Sequence, residues 1–125
     1  MNYDNDKAIF IQIADLICDR LLSGYYNPSE HSTSVRELAF EVQVNPNTVI
    51  RAYEKLQNEN IVYNKRGIGY FFEKDAKEKI LNFRRNYFKQ KILPSVFKDM
   101  ALLEITIEDI VNAYNNNIHS ALIKE

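Results

Sequence analysis

Residues 44–56 read VNPNTVIRAYEKL, and each position of that run has a place in one amphipathic helix. Asn45 is a good N-cap, and Pro46 suits the first helical position, where its missing N–H costs nothing. Val44 before the cap and Val49 four positions after Asn45 have the spacing of a hydrophobic staple, which sets the angle at which the chain enters the helix. With Val49 as origin and about 100° per residue, Ala52, Tyr53 and Leu56 fall within roughly 60° of it and form a buried stripe. On the same wheel Asn47 and Arg51 lie at roughly 160° and 200°, away from the core. The helix is therefore expected to turn an amide and a guanidinium outward from its first turns.

Upstream, Ser34-Val35-Arg36-Glu37 has the Ser-x-x-Glu order of a capping box. It opens a short helix that carries Val35, Leu38, Ala39 and Val42 inward. Two helices joined by about three residues, the second with polar side chains at its start, form a helix-turn-helix pattern. Ahead of them, Ile9, Ile13, Leu16, Ile17 and Leu21 recur at helical spacing between Ala8 and Ser23, with Asp15, Asp19 and Arg20 opposite and Gly24 as the stop. The segment YYNPSEHSTS, residues 25–34, reads as a loop. Downstream, Ile61 to Tyr63 and Tyr70 to Phe72 are strand formers around a glycine-containing turn. They predict a hairpin with Lys65, Arg66 and Gly67 at its tip, a basic wing placed straight after the helix pair.

Beyond Phe72 the character changes. Lys74 to Leu93 reads as a long helix with Ile80, Phe83, Tyr87 and Phe88 on one broad face, interrupted by Pro94 and resuming through SVFKDMALL. Thr106 to Asp109 is a second capping start, flanked by Ile105 and Ile110 as a staple. The last helix carries Ile107, Ile110, Val111 and Tyr114 and is expected to fray through Asn115, Asn116 and Asn117. The expected fold class is mainly α with a small β-hairpin wing: a winged helix-turn-helix domain over residues 1–73 and a helical dimerisation tail over 74–125. Two or three helices of this length cannot bury so apolar a face against themselves. Ile80, Phe83, Tyr87, Phe88, Ile110 and Tyr114 are therefore the expected homodimer interface, on a twofold axis that would hold two identical readers at a fixed separation on palindromic DNA.

Bulk composition excludes more than it selects. The chain has 125 residues, 46% hydrophobic and 12% aromatic, with a formal charge of -1, so a core is affordable and no global charge draws it to nucleic acid or membrane. Only Gly 3 and Pro 3 occur, which argues against a sandwich of tight turns. A lone Cys18 forms no internal disulfide framework, and no apolar run has the length of a membrane span. The polar, acidic start MNYDNDKAIF is unlike a secretion signal, so a cytoplasmic location is expected. An enzyme finds little support: His31 and His119 are far apart, Cys18 has no basic neighbour beyond Arg20, and neither a carboxylate pair nor a phosphate loop appears. No ligand spacing implies a metal, and no cofactor is expected.

The run FIQIADLICDRLLSGYYNP followed by SVRELAFEVQVNPNTVIRAYEKLQNENIVYNKRGIGYFF resembles the winged-helix domain of the GntR family of bacterial transcription regulators. The tail, with FRRNYFKQ and LLEITIEDI, is similar to that of the YtrA-like subfamily, so the resemblance covers nearly the whole chain. RELA, NPNTV, RAY and KRGIGYF occur in order at the family's spacing, specific together though weak singly. The resemblance implies a DNA-binding regulator, more often a repressor, in a group often linked to transporter operons. It places Arg36 of the second helix, Asn47 and Thr48 of the recognition helix, and Arg66 with Gly67 of the wing on DNA. Pro46 stands where many relatives have arginine, so base reading there would be apolar, as against a thymine methyl. Where relatives often read Pro-Gly-x-Arg-Leu-Pro-Ser, this chain has Pro28 to Ser34 as PSEHSTS; Gln43 and Glu104 each replace a frequent glycine.

The full candidate DNA-binding set is Ser34, Arg36, Pro46, Asn47, Thr48, Arg51, Lys65, Arg66 and Gly67, with double-stranded DNA as partner. Most exposed polar residues are merely solvated. Here, though, the chain up to Glu73 holds seven Lys and Arg against ten Asp and Glu, and its few cations sit where DNA would lie. The competing reading is a winged-helix module that binds protein, which needs an apolar outer face; Ile50 alone breaks the polar one. The aromatic tail face reads as dimer core rather than a ligand box, and any effector ligand is unidentified.

Overall fold

The computed structural model describes residues 7–28 and 30–124, with side chains as far as Asn117. Met1 to Asp6, Ser29 and the His119 side chain lie outside the described residues. Backbone contacts divide the chain into two compact units, one ending at Phe83 and the other beginning at Arg84.

In the first unit, helix α1 (Ile9–Leu22) buries Ile13, Ala14, Ile17, Cys18 and Leu21. Ile9, assigned to the inner stripe by its spacing, is 57% exposed because the buried stripe begins one turn later. Helix α2 (Val35–Val42) starts at Ser34, whose hydroxyl accepts from the Glu37 N–H at 3.1 Å and donates to the Glu37 carboxylate at 3.0 Å. The box thus closes side chain to side chain, where the sequence motif implies that the carboxylate returns to a backbone N–H. At the other end Gln43 takes the left-handed conformation, φ +57°, and the Val44 N–H bonds the Ala39 carbonyl at 3.0 Å. This is the Schellman closure, normally given to glycine.

Helix α3 (Pro46–Asn58) is capped by the Asn45 side chain, which accepts from the Asn47 N–H at 2.8 Å. Val49, Ala52, Tyr53 and Leu56 are buried, as the wheel requires, and α3 packs against α1 and α2 and runs into the hairpin. Strands β1 (Val62–Lys65) and β2 (Gly69–Phe72) pair antiparallel, Val62 opposite Phe72 and Lys65 opposite Gly69. The Ile68 N–H returns to the Lys65 carbonyl at 2.9 Å, and Gly67 between them has φ +81°. A positive φ at the third position is what a type II turn demands, and glycine meets it without a Cβ penalty. The fold class is the expected one, mainly α with a hairpin wing.

Helix α4 (Ala76–Tyr87) leaves the wing with Ala76 and Ile80 in the same core as α1 and α3. That packing is why the composition change after Glu73 and the contact boundary after Phe83 differ. Ile80 is 3% exposed within its own chain, so it is removed from the candidate dimer interface.

In the second unit the chain stays helical up to Pro94. A wider π-type turn spans Phe88–Ile92, and helix α5 (Leu93–Leu103) takes Pro94 at its start. Pro94 lacks an N–H and crowds the carbonyl four residues back, and the widened turn ahead of it absorbs both effects without ending the helical path. Glu104, φ +55°, closes α5, with the Ile105 N–H on the Met100 carbonyl. Helix α6 (Ile107–Lys124) opens with a reciprocal box: the Asp109 N–H donates to Thr106 Oγ1 at 3.1 Å, and the Thr106 N–H to the Asp109 carboxylate at 3.0 Å. It continues through Asn115, Asn116 and Asn117, where fraying was the expectation. No helix among the described residues is long and apolar enough to cross a membrane.

Candidate nucleic-acid interface

The candidate residues fall on three elements. Asn45, Pro46 and Asn47 are exposed at the start of α3, with Thr48 half-buried behind them. Caps leave backbone N–H groups at a helix start, and the macrodipole makes that end attractive to anions. Ser34 and Arg36 are exposed at the start of α2, and Lys65, Arg66 and Gly67 are exposed at the wing tip. Neither Arg36 nor Arg66 has an ion-pair partner among the described residues.

Two of the other cations are already engaged. The Arg51 guanidinium lies 4.1 Å from the centroid of the Phe10 ring, so it leans back over α1 instead of projecting freely. Lys65 Nζ lies 5.0 Å from the Phe71 ring, on the hairpin's own face. Such contacts are worth about 0.5–1 kcal/mol at exposed sites, small enough for a phosphate to compete. Among the described residues, Arg66 is the wing cation with no such engagement.

What brings the three elements together is the segment read from sequence as a loop. His31 bridges to Phe71, and the Ser32 N–H donates to the Tyr70 carbonyl at 3.0 Å, adding a short edge to the wing. Ser32 is buried; its hydroxyl lies 2.9 Å from the Tyr53 hydroxyl, and Tyr53 donates to the Thr33 carbonyl at 2.6 Å. The Tyr53 and Tyr70 rings stack at 4.3 Å, nearly parallel. Burial pushes the Tyr53 phenol well above its ordinary value of 10, so it stays a neutral donor. Alongside, Arg20 of α1 binds the Glu41 carboxylate and donates to the Tyr26 hydroxyl, which in turn donates to Thr33 Oγ1 at 2.6 Å.

The family model described as bacterial regulatory proteins, gntR family, matches residues 11–72, from α1 to the end of the wing. The chain belongs to the GntR family. It is 33% identical over 109 residues to the HTH-type transcriptional regulator YhcF of Bacillus subtilis (strain 168), spanning 87% of this chain and 88% of the relative. It is likewise 33% identical over 88 residues to the HTH-type transcriptional repressor YtrA of the same organism, 70% of this chain and 68% of that one. A solved GntR-family regulator from Bacteroides thetaiotaomicron is 41% identical with a TM-score of 0.73, covering 91% of this chain and 99% of its own.

This regulator is therefore a transcription factor with a DNA-binding winged helix-turn-helix, from a family that is not one of enzymes. Ser32 and the Tyr53 hydroxyl escaped the sequence reading. One signal was present: a tyrosine on a helix's buried stripe must find a hydrogen-bond partner, and a run of Ser-Thr-Ser supplies several.

Proposed function

We propose that this regulator represses transcription by binding a palindromic operator as a homodimer, in the cytoplasm beside the chromosome. The observation that carries the DNA reading is the capped start of α3, presenting Asn47 on an exposed first turn, with the unengaged Arg66 on the wing. In this reading Asn47, Thr48 and Pro46 meet base edges in the major groove, while Arg36, Arg51, Lys65 and Arg66 meet phosphates or the minor groove. Ser34 and Gly67 bring backbone close to the duplex. Repression is supported by the resemblance to YtrA, named as a transcriptional repressor.

The dimer is supported by unpartnered apolar surface. Phe83 is 72% exposed, and Tyr87, Phe88, Ile110 and Tyr114 are also exposed. Large apolar groups at this density on short helices mark a surface that another chain covers. Because the winged domain is acidic, affinity rests on two copies acting together, and the phosphate contacts summed over both make it steeply salt dependent. A gel shift with the gene's own upstream DNA at two salt concentrations tests binding, with a shift expected at the lower one. Light scattering tests the dimer. Loss of the shift at both salts, or a monomer at working concentration, contradicts the respective half.

A further inference from the structure

We propose that the Tyr53 hydroxyl is a positioning group for DNA binding: it clamps the Ser32–Thr33 segment to the recognition helix and, through that segment, sets the wing and the start of α2. This rests on the DNA reading given above. The clamp follows from proton bookkeeping. A phenol has one proton, and Tyr53 donates it to the Thr33 carbonyl at 2.6 Å. Its contact with Ser32 at 2.9 Å must then be donated by the Ser32 hydroxyl, for which the Tyr70 carbonyl at 3.3 Å is the competing acceptor. The Ser32 N–H holds that same Tyr70 carbonyl at 3.0 Å, on β2 of the wing.

One fully buried phenol on α3 is thus joined to the residue just before the α2 cap and, through Ser32, to the strand that carries the wing. The Ser32 position is buried and polar, and no described buried side-chain polar atom lacks a partner. A buried serine opposite a buried tyrosine hydroxyl is a matched pair that specifies one arrangement, where leucine would supply only volume. Arg36 and Arg66 lie on the two elements this pair ties to α3, so its loss would be felt as misplacement of both cations.

The test is a double-mutant cycle on the full chain, using a duplex that the wild type selects from random DNA. Tyr53→Phe keeps the ring, the stack on Tyr70 and the core volume, and removes only the oxygen. It is expected to weaken binding by about ten-fold or more at a temperature where circular dichroism shows both proteins folded. In an Arg66→Ala or Arg36→Ala background the same substitution should cost less than about three-fold, because the misplaced group is already gone.

Hydrogen exchange supplies a second readout without DNA. In Tyr53→Phe the Ser32 amide should exchange about ten-fold faster or more, while the Ile13 and Ile17 amides of α1 keep their rates. Ser32→Ala should reproduce both patterns and stands in if the first variant fails to fold. Undiminished cost in both arginine backgrounds, or unchanged affinity, overturns the positioning role. Uniform acceleration across α1 and Ser32 overturns the clamp alone. A wild type that selects no duplex sinks the regulator reading and the binding half of this one together.

Discussion

Gln43 and Glu104 show how single positions carry strain. Both hold positive φ, +57° and +55°, at helix ends that glycine would close without a Cβ penalty. A non-glycine residue there costs about 1–2 kcal/mol, and glycine would return about 0.4–1 of that through a looser unfolded chain. Gln43→Gly should therefore raise stability by about 0.5–1 kcal/mol, read from urea unfolding midpoints at unchanged slope. Sequence made these two positions visible as departures from a glycine pattern, though not what they cost. Arg51 was legible only as outward-facing, because the wheel knows nothing of Phe10 on another helix.

Tyr53 gives a second test at this scale. Its folded value is raised above 10, so its stabilisation is complete below pH 10 and is lost as pH climbs past it, when the unfolded chain ionises first. Tyr70 is pushed the same way by burial and then by Glu54. Alkaline titration followed by tyrosinate absorbance should count fewer than the chain's eight tyrosines until the protein unfolds.

Among elements, caps and stripes were the most legible features, since each is a local pattern with a local energy. Ser34→Ala should cost about 1 kcal/mol, measured by thermal unfolding, through the lost bond to the Glu37 N–H. What sequence missed is non-local or too weak to see. Ser32 joins the wing only because β2 passes beside it. The asparagine run in α6 was over-read: asparagine costs a few tenths of a kcal/mol more than good helix formers, and without glycine or proline the helix has no reason to stop. Pro94 interrupts the regular α-helix as its sequence position implies, through a widened turn over Phe88–Ile92 after which α5 resumes.

For the whole molecule, the proposed dimer face and the proposed DNA face are tested by separate substitutions. Phe83→Asp should turn the proposed dimer to monomer in light scattering while the far-UV spectrum stays helical, because Phe83 is outside the winged core. Ile80→Asp, on the same helix, should instead unfold the winged domain, since it buries a carboxylate without a partner. The most direct test of the DNA contact itself compares the wild type with Asn47→Ala and Arg66→Ala on a selected duplex and on single-base variants, across a salt series. The expected result is that Arg66→Ala weakens binding to all sequences alike and lowers the salt slope by about one ion per protomer, while Asn47→Ala loses about 1–3 kcal/mol of discrimination at one or two base pairs of each half-site. Unchanged affinity and unchanged base preference in both variants would contradict the assignment of the α3 start and the wing to DNA.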